Sequence, residues 1–91
     1  MDDWIILVFI KLYTSLEINT IMQEIIINFE PVELYKILKF EGLAESGAQA
    51  KQIIADGLVR VNGEVETRKR RKMLKDDKIN LAGQQFVLKL A

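Results

Sequence analysis

The tripeptides Glu41-Gly42-Leu43 and Asp56-Gly57-Leu58 lie fifteen residues apart, and together they leave the middle of this chain little conformational choice. A glycine in the left-handed region, followed by an apolar residue that folds back on the last turn, closes an α-helix. Before the first stop, Leu34, Ile37 and Leu38 recur at helical spacing. Pro31 suits the first helical position, where its missing N–H costs nothing, so the pattern predicts a helix opening at Pro31 and closing at Gly42. Tyr35 and Phe40 flank the stripe and are assigned to the core. Before the second stop, Ser46-Gly47-Ala48-Gln49 reads as a capping box. The serine oxygen takes a free N–H of the first turn and the glutamine reaches back to the cap. Ala50, Ile53 and Ile54 form the buried stripe of this helix, with Lys51, Gln52 and Asp56 off it. Only a few residues join the two helices, so they must meet at a sharp angle.

Strands surround this pair. Ile25, Ile26 and Ile27 are β-branched and too few for a helix, which predicts a strand over Glu24–Phe29. Asn62-Gly63 is a strong hairpin signal inside Leu58–Thr67. A two-residue turn there sets Val59 and Val61 beside Glu64 and Glu66. A three-residue loop with a glycine bulge pairs Val59 with Val65 and Arg60 with Glu64 instead, and the bulged register is the one expected. Lys78–Leu81 and Phe86–Leu90 alternate like strands, with Ala82-Gly83-Gln84 turning between them and Asp76-Asp77 in a turn before them. The fold class is α+β: two short helices packed on a small, mainly antiparallel β-sheet.

Composition removes whole classes of chemistry. The chain has no cysteine and no histidine, which excludes disulfides, thiolate and imidazole metal sites, cysteine nucleophiles and serine–histidine triads. No carboxylate or lysine pair stands out in their place, so neither an enzyme nor a cofactor or metal is expected. The formal net charge of zero hides an asymmetry: residues 1–35 carry a net −5 and residues 36–91 a net +5. Such polarity steers partners where a neutral total does not. The apolar run Trp4–Ile10 falls far short of the ~20 residues that span a bilayer. It follows Asp2-Asp3 rather than a basic stretch, unlike a secretory signal. Recognisable organisation begins only at Met22. Residues 1–21 are therefore read in three ways, as an extra strand or helix on the core, as a partner-binding segment or, the favoured reading, as an extension from a start upstream of Met22, with residues 22–91 as the domain.

Residues 33–81 resemble the RNA-binding domain named after ribosomal protein S-four, whose helix-loop-helix-hairpin core is the αL motif. The residues that carry the likeness are Leu34, Leu38, Gly42-Leu43-Ala44, Ser46, Gln49-Ala50-Lys51, Ile54 and Gly57-Leu58-Val59-Arg60-Val61-Asn62-Gly63. The strings Glu45-Ser46-Gly47-Ala48-Gln49-Ala50-Lys51 and Val65-Glu66-Thr67-Arg68-Lys69-Arg70 are similar to small stand-alone bacterial proteins of the YbcJ type. The resemblance implies a monomeric, cytoplasmic, ribosome-associated protein that binds structured RNA, ribosomal or transfer RNA, without catalysis. Two departures stand out. Many relatives carry arginine after the capping serine, where this chain has Gly47, and a basic residue where it has Glu33.

The chemistry expected is phosphate recognition. Ser46, Gly47 and Gln49 form the start of the second helix, where free N–H groups and a positive dipole end attract anions. Lys51 and Gln52 follow on its exposed side, Arg60 and Asn62 belong to the hairpin, and Arg68, Lys69, Arg70 and Arg71 leave it. Arginine's planar fork suits bidentate phosphate contacts. A single continuous face through Lys51, Arg60 and the Arg68–Arg71 run is the expected RNA surface. Two other classes fit a basic face: a module for an acidic protein partner, and a peripheral membrane protein anchored by the apolar start and the cations.

Overall fold

The computed structural model describes residues 22–91, and the expectations for residues 1–21 lie outside it. The elements run β1 (Gln23–Ile27), β2 (Val32–Glu33), α1 (Leu34–Phe40), α2 (Gly47–Ala55), β3 (Val59–Val61), β4 (Glu64–Val65), β5 (Lys72–Met73), β6 (Lys78–Leu81) and β7 (Gln84–Leu90). Five strands form one sheet in the order β1-β7-β6-β3-β4, and β2 pairs with β5 in a separate ribbon. Only the β1–β7 pair is parallel among the described residues. The α+β class with a mainly antiparallel sheet is what the pattern predicted.

Strand alternation builds one apolar face. Ile25 and Ile27 of β1, Val59 and Val61 of β3, Ile79 of β6 and Phe86 and Leu88 of β7 are buried, and the residues between them are not. Against this face pack Leu34, Ile37 and Leu38 of α1 and Ala50 and Ile54 of α2, with Met73 of β5 in the same core. Burying a side chain of the size of Leu38, Ile54 or Leu88 contributes roughly 2 kcal/mol.

Both helix stops form as the sequence indicates, and they are the same device. Gly42 has φ +72° and Gly57 φ +77°, angles that a residue with a Cβ adopts only under strain. The N–H of Gly42 donates to Lys39 and that of Leu43 to Leu38, while Gly57 donates to Ile54 and Leu58 to Ile53. Each pair satisfies carbonyls that the ending helix leaves without partners. At the other end of α2, the Ser46 hydroxyl accepts the Gln49 N–H at 3.1 Å. The Gln49 side chain reaches one residue further back than a standard box, to the Glu45 N–H. Ser46→Ala is expected to cost about 1 kcal/mol of unfolding free energy in a urea titration, through the missing cap. An unchanged stability would mean that the Gln49 arm holds the turn by itself.

Three expectations are corrected. The first helix starts at Leu34, not Pro31, because Val32 and Glu33 pair as a strand with Met73 and Lys72. No side chain caps it. Instead the Leu34 N–H donates to the Arg71 carbonyl at 2.9 Å and the Tyr35 N–H to the Lys69 carbonyl at 3.1 Å. The basic run thus caps α1 with its backbone. The hairpin takes the two-residue turn, pairing Arg60 with Val65 and Val61 with Glu64. Val65 is left exposed, and Glu66, whose N–H donates to the Val59 carbonyl, enters the buried side as a charged residue. That register is viable because the Glu66 carboxylate is fully partnered there by two arginines. The last hairpin is also tighter than expected, with Gln84 already in β7 opposite Leu81.

Candidate nucleic-acid interface

Tyr35 is the centre of the basic surface. It lies on the first turn of α1, one residue off the Leu34–Ile37–Leu38 stripe, so its ring emerges at the edge of the core. The Lys51 Nζ lies 4.6 Å from the ring centroid, the Arg70 Cζ 5.2 Å and the Lys36 Nζ 6.0 Å. Cations over an aromatic face are attracted by its quadrupole, at about 0.5–1 kcal/mol each on an exposed surface. Gly47 abuts the same ring: a Cβ there would stand 3.6 Å from Tyr35 Cε2, an ordinary van der Waals distance. The opening of α2, the first turn of α1 and the basic run therefore meet at one side chain.

Two carboxylates hold the run in shape. Glu66 is buried and accepts Arg68 Nη2 at 2.9 Å, Arg68 Nε at 3.0 Å and Arg71 Nη1 at 2.7 Å, together with the Arg68 backbone N–H at 3.0 Å. These bonds, Arg68's foremost, hold its pKa at about 2, well below the usual carboxylate range. Glu33 accepts Arg70 Nη1 at 2.9 Å and lies 3.6 Å from Lys36 Nζ, and chiefly the Arg70 bond lowers its pKa too. Despite these pairs, Arg68 and Arg70 keep most of their side-chain surface in solvent. Arg68, Arg70, Arg71 and Lys72 line one open concavity. Lys36, Lys51, Lys69 and these four outnumber Glu33 and Glu66.

The predicted site residues divide. Gly47, Lys51 and Arg70 come together at Tyr35. Arg68 and Arg71, both paired with Glu66, share a concavity with Arg70. Lys69 belongs to the same run and caps α1 by its carbonyl. Ser46 and Gln49 are occupied as caps. Gln52 donates to Asp56 at 2.8 Å, toward the far end of α2. Arg60 stands apart, because Val59 and Val61 point into the core and Arg60, between them, points out through the opposite face of the sheet. It donates to the Gly63 carbonyl at 3.3 Å. Asn62 is a fastener: it donates to Asp77 at 3.1 Å and accepts the Lys78 N–H at 2.9 Å, tying the hairpin turn to the turn before β6.

Sequence reasoning misplaced the two aromatics of α1. Tyr35 serves the core with one edge and the cations with its ring, and Phe40, assigned to the core, is 72% exposed. A signal was available, since Leu34, Ile37 and Leu38 already complete the buried stripe and neither aromatic falls on it.

Two helices joined through a glycine stop, a hairpin and a flanking sheet define the class of αL-type domains. The chain belongs to the S4 domain family, which residues 25–89 match. Among individual proteins it is similar to YbcJ of Escherichia coli (strain K12), which carries the name "Putative RNA-binding protein YbcJ". The two are 56% identical over 52 residues, covering 57% of this chain and 74% of that one. YbcJ of Shigella flexneri matches to the same extent, 56% over 52 residues. The solution structure of E. coli YbcJ, described as revealing an αL motif involved in RNA-binding, superposes with a TM-score of 0.59 at 44% identity. It covers 79% of this chain and 91% of that one.

Proposed function

We propose that this protein binds structured RNA, ribosomal or transfer RNA, without catalysis, in the cytoplasm, through the surface centred on Tyr35. The observation that carries the reading is the convergence of Lys51 and Arg70 on Tyr35, beside the opening of α2 and the concavity lined by Arg68, Arg71 and Lys72. The Gly47 and Ala48 N–H groups open α2 without an intrahelical carbonyl to reach, Gln49's being taken by the Ser46 hydroxyl, and they point where an anion is favoured. Apart from Glu33 and Glu66, both paired with arginine, and the Tyr35 ring, this surface offers positive charge and hydrogen-bond donors, which are what phosphate binding uses. The RNA-binding name and motif of E. coli YbcJ support the same reading. A-form RNA hides its major-groove base edges, so a basic patch of this kind reads backbone and shape.

A fluorescence titration across salt concentrations, against transfer RNA, a ribosomal RNA helix and a DNA duplex of matching length, tests it. Affinity should fall steeply with salt and favour the RNAs. Equal affinity for the DNA would leave a generic polyanion binder, and no binding to any would defeat the reading. Gly47→Arg should raise RNA affinity and steepen the salt slope by about one unit, since it adds a cation beside Lys51 at a site where a Cβ meets no obstacle. Weaker binding would instead mean that a phosphate approaches the backbone at Gly47 too closely for any side chain.

A further inference from the structure

Beside the basic concavity, α1 borders a second groove with aromatic walls and a cationic rim. Phe29, Tyr35 and Phe40 line it with Lys36, Lys39 and Lys72. Phe40 is 72% exposed and Phe29 67%, so neither ring contributes much to the core. The Lys39 Nζ stands 6.0 Å from the Phe40 centroid. Glu33 also borders the groove, but Arg70 and Lys36 pair with it. Lys72 lines both this groove and the arginine concavity, so the two adjoin there.

We propose that this groove receives an unpaired base of the bound RNA, stacked on Phe40, with the phosphates flanking it set against Lys36, Lys39 and Lys72. The inference rests on the RNA-binding reading above and adds a ligand class to it: RNA in which a paired stem is bordered by unpaired nucleotides. An aromatic ring presented to water among lysines suits a base joined to phosphates, because every base has a π-face and every linkage a negative charge. The lysine rim does not complement the apolar face of a protein helix.

The test compares a blunt RNA duplex with the same duplex bearing a short unpaired overhang that carries a fluorescent purine analogue. Wild type should bind the overhang form about tenfold more tightly, the effect of one stacked base, and should quench the analogue. Phe40→Ala should abolish both preference and quenching, while leaving its affinity for the blunt duplex and its melting temperature unchanged. Phe40→Trp should retain both. Full preference in Phe40→Ala, or equal binding of the two RNAs by wild type, overturns the stacking groove and leaves the phosphate surface intact. Failure of wild type to bind either RNA overturns the RNA reading, and this inference with it.

Discussion

Replacing Lys51 and Arg70 together by glutamine is expected to weaken binding of structured RNA about a hundredfold, from two charge-assisted hydrogen bonds of roughly 1.5 kcal/mol each. The salt dependence should flatten by about one unit of slope for each phosphate left without its cation. These two cations are chosen because they come from distant parts of the chain and meet at Tyr35. Folding should lose no more than about 1–2 kcal/mol, from the two cation–ring contacts, because an ion pair as open to solvent as Arg70–Glu33 contributes little. Paired thermal melts and salt titrations decide the matter. A folded double variant with wild-type affinity and slope would remove Tyr35 from the centre of the interface.

Glu66→Gln is expected to destabilise the domain on the order of 2 kcal/mol at neutral pH, and to change how it responds to acid. Glu66 is buried, and its pKa in the folded protein is about 2 against an ordinary 4.5, so folding favours its ionised form. The stabilisation is therefore complete above about pH 4.5, fades as pH falls toward about 2, and is gone below that. Glu33 shifts in the same direction and adds its own acid dependence, but it does so in both proteins. The stability difference between wild type and Glu66→Gln, followed by urea unfolding through this range, isolates Glu66. It should shrink with acid. A constant difference, or none at neutral pH, would show that the arginines do not depend on this carboxylate.

Much of the fold was legible because its signals are local. The stops at Gly42 and Gly57 each close with bonds reaching back five residues or fewer, and the Ser46 cap spans three. The Asn62-Gly63 turn was equally plain, but the register beside it was not. Choosing the register meant knowing that a glutamate just past β4, on the inner side, would be met by Arg68 and Arg71, and a strand pattern carries no sign of that. The start of α1 failed for a similar reason. Pro31 is a sound local signal, and it was overridden by Val32 and Glu33 pairing with β5.

The candidate site divides along the same line. Its ingredients, the basic run, Lys51 and the capped start of α2, are visible in the amino-acid order, and so is the likeness to the S4 domain family. Their assembly is not. Glu33 and Arg70 are 37 residues apart, and the carbonyls that cap α1 belong to Lys69 and Arg71. Tertiary packing alone made Tyr35 the meeting point of Lys51 and Arg70, whereas the outward positions of Arg60 and Phe40 follow the strand alternation and the helical stripe already present in the sequence. Local sequence determined where helices end and chains turn, because those hydrogen bonds close within a few residues. Which charges share a surface was decided only when distant segments packed on one apolar face, since an ion pair or a cation over a ring depends on distance in space and not along the chain.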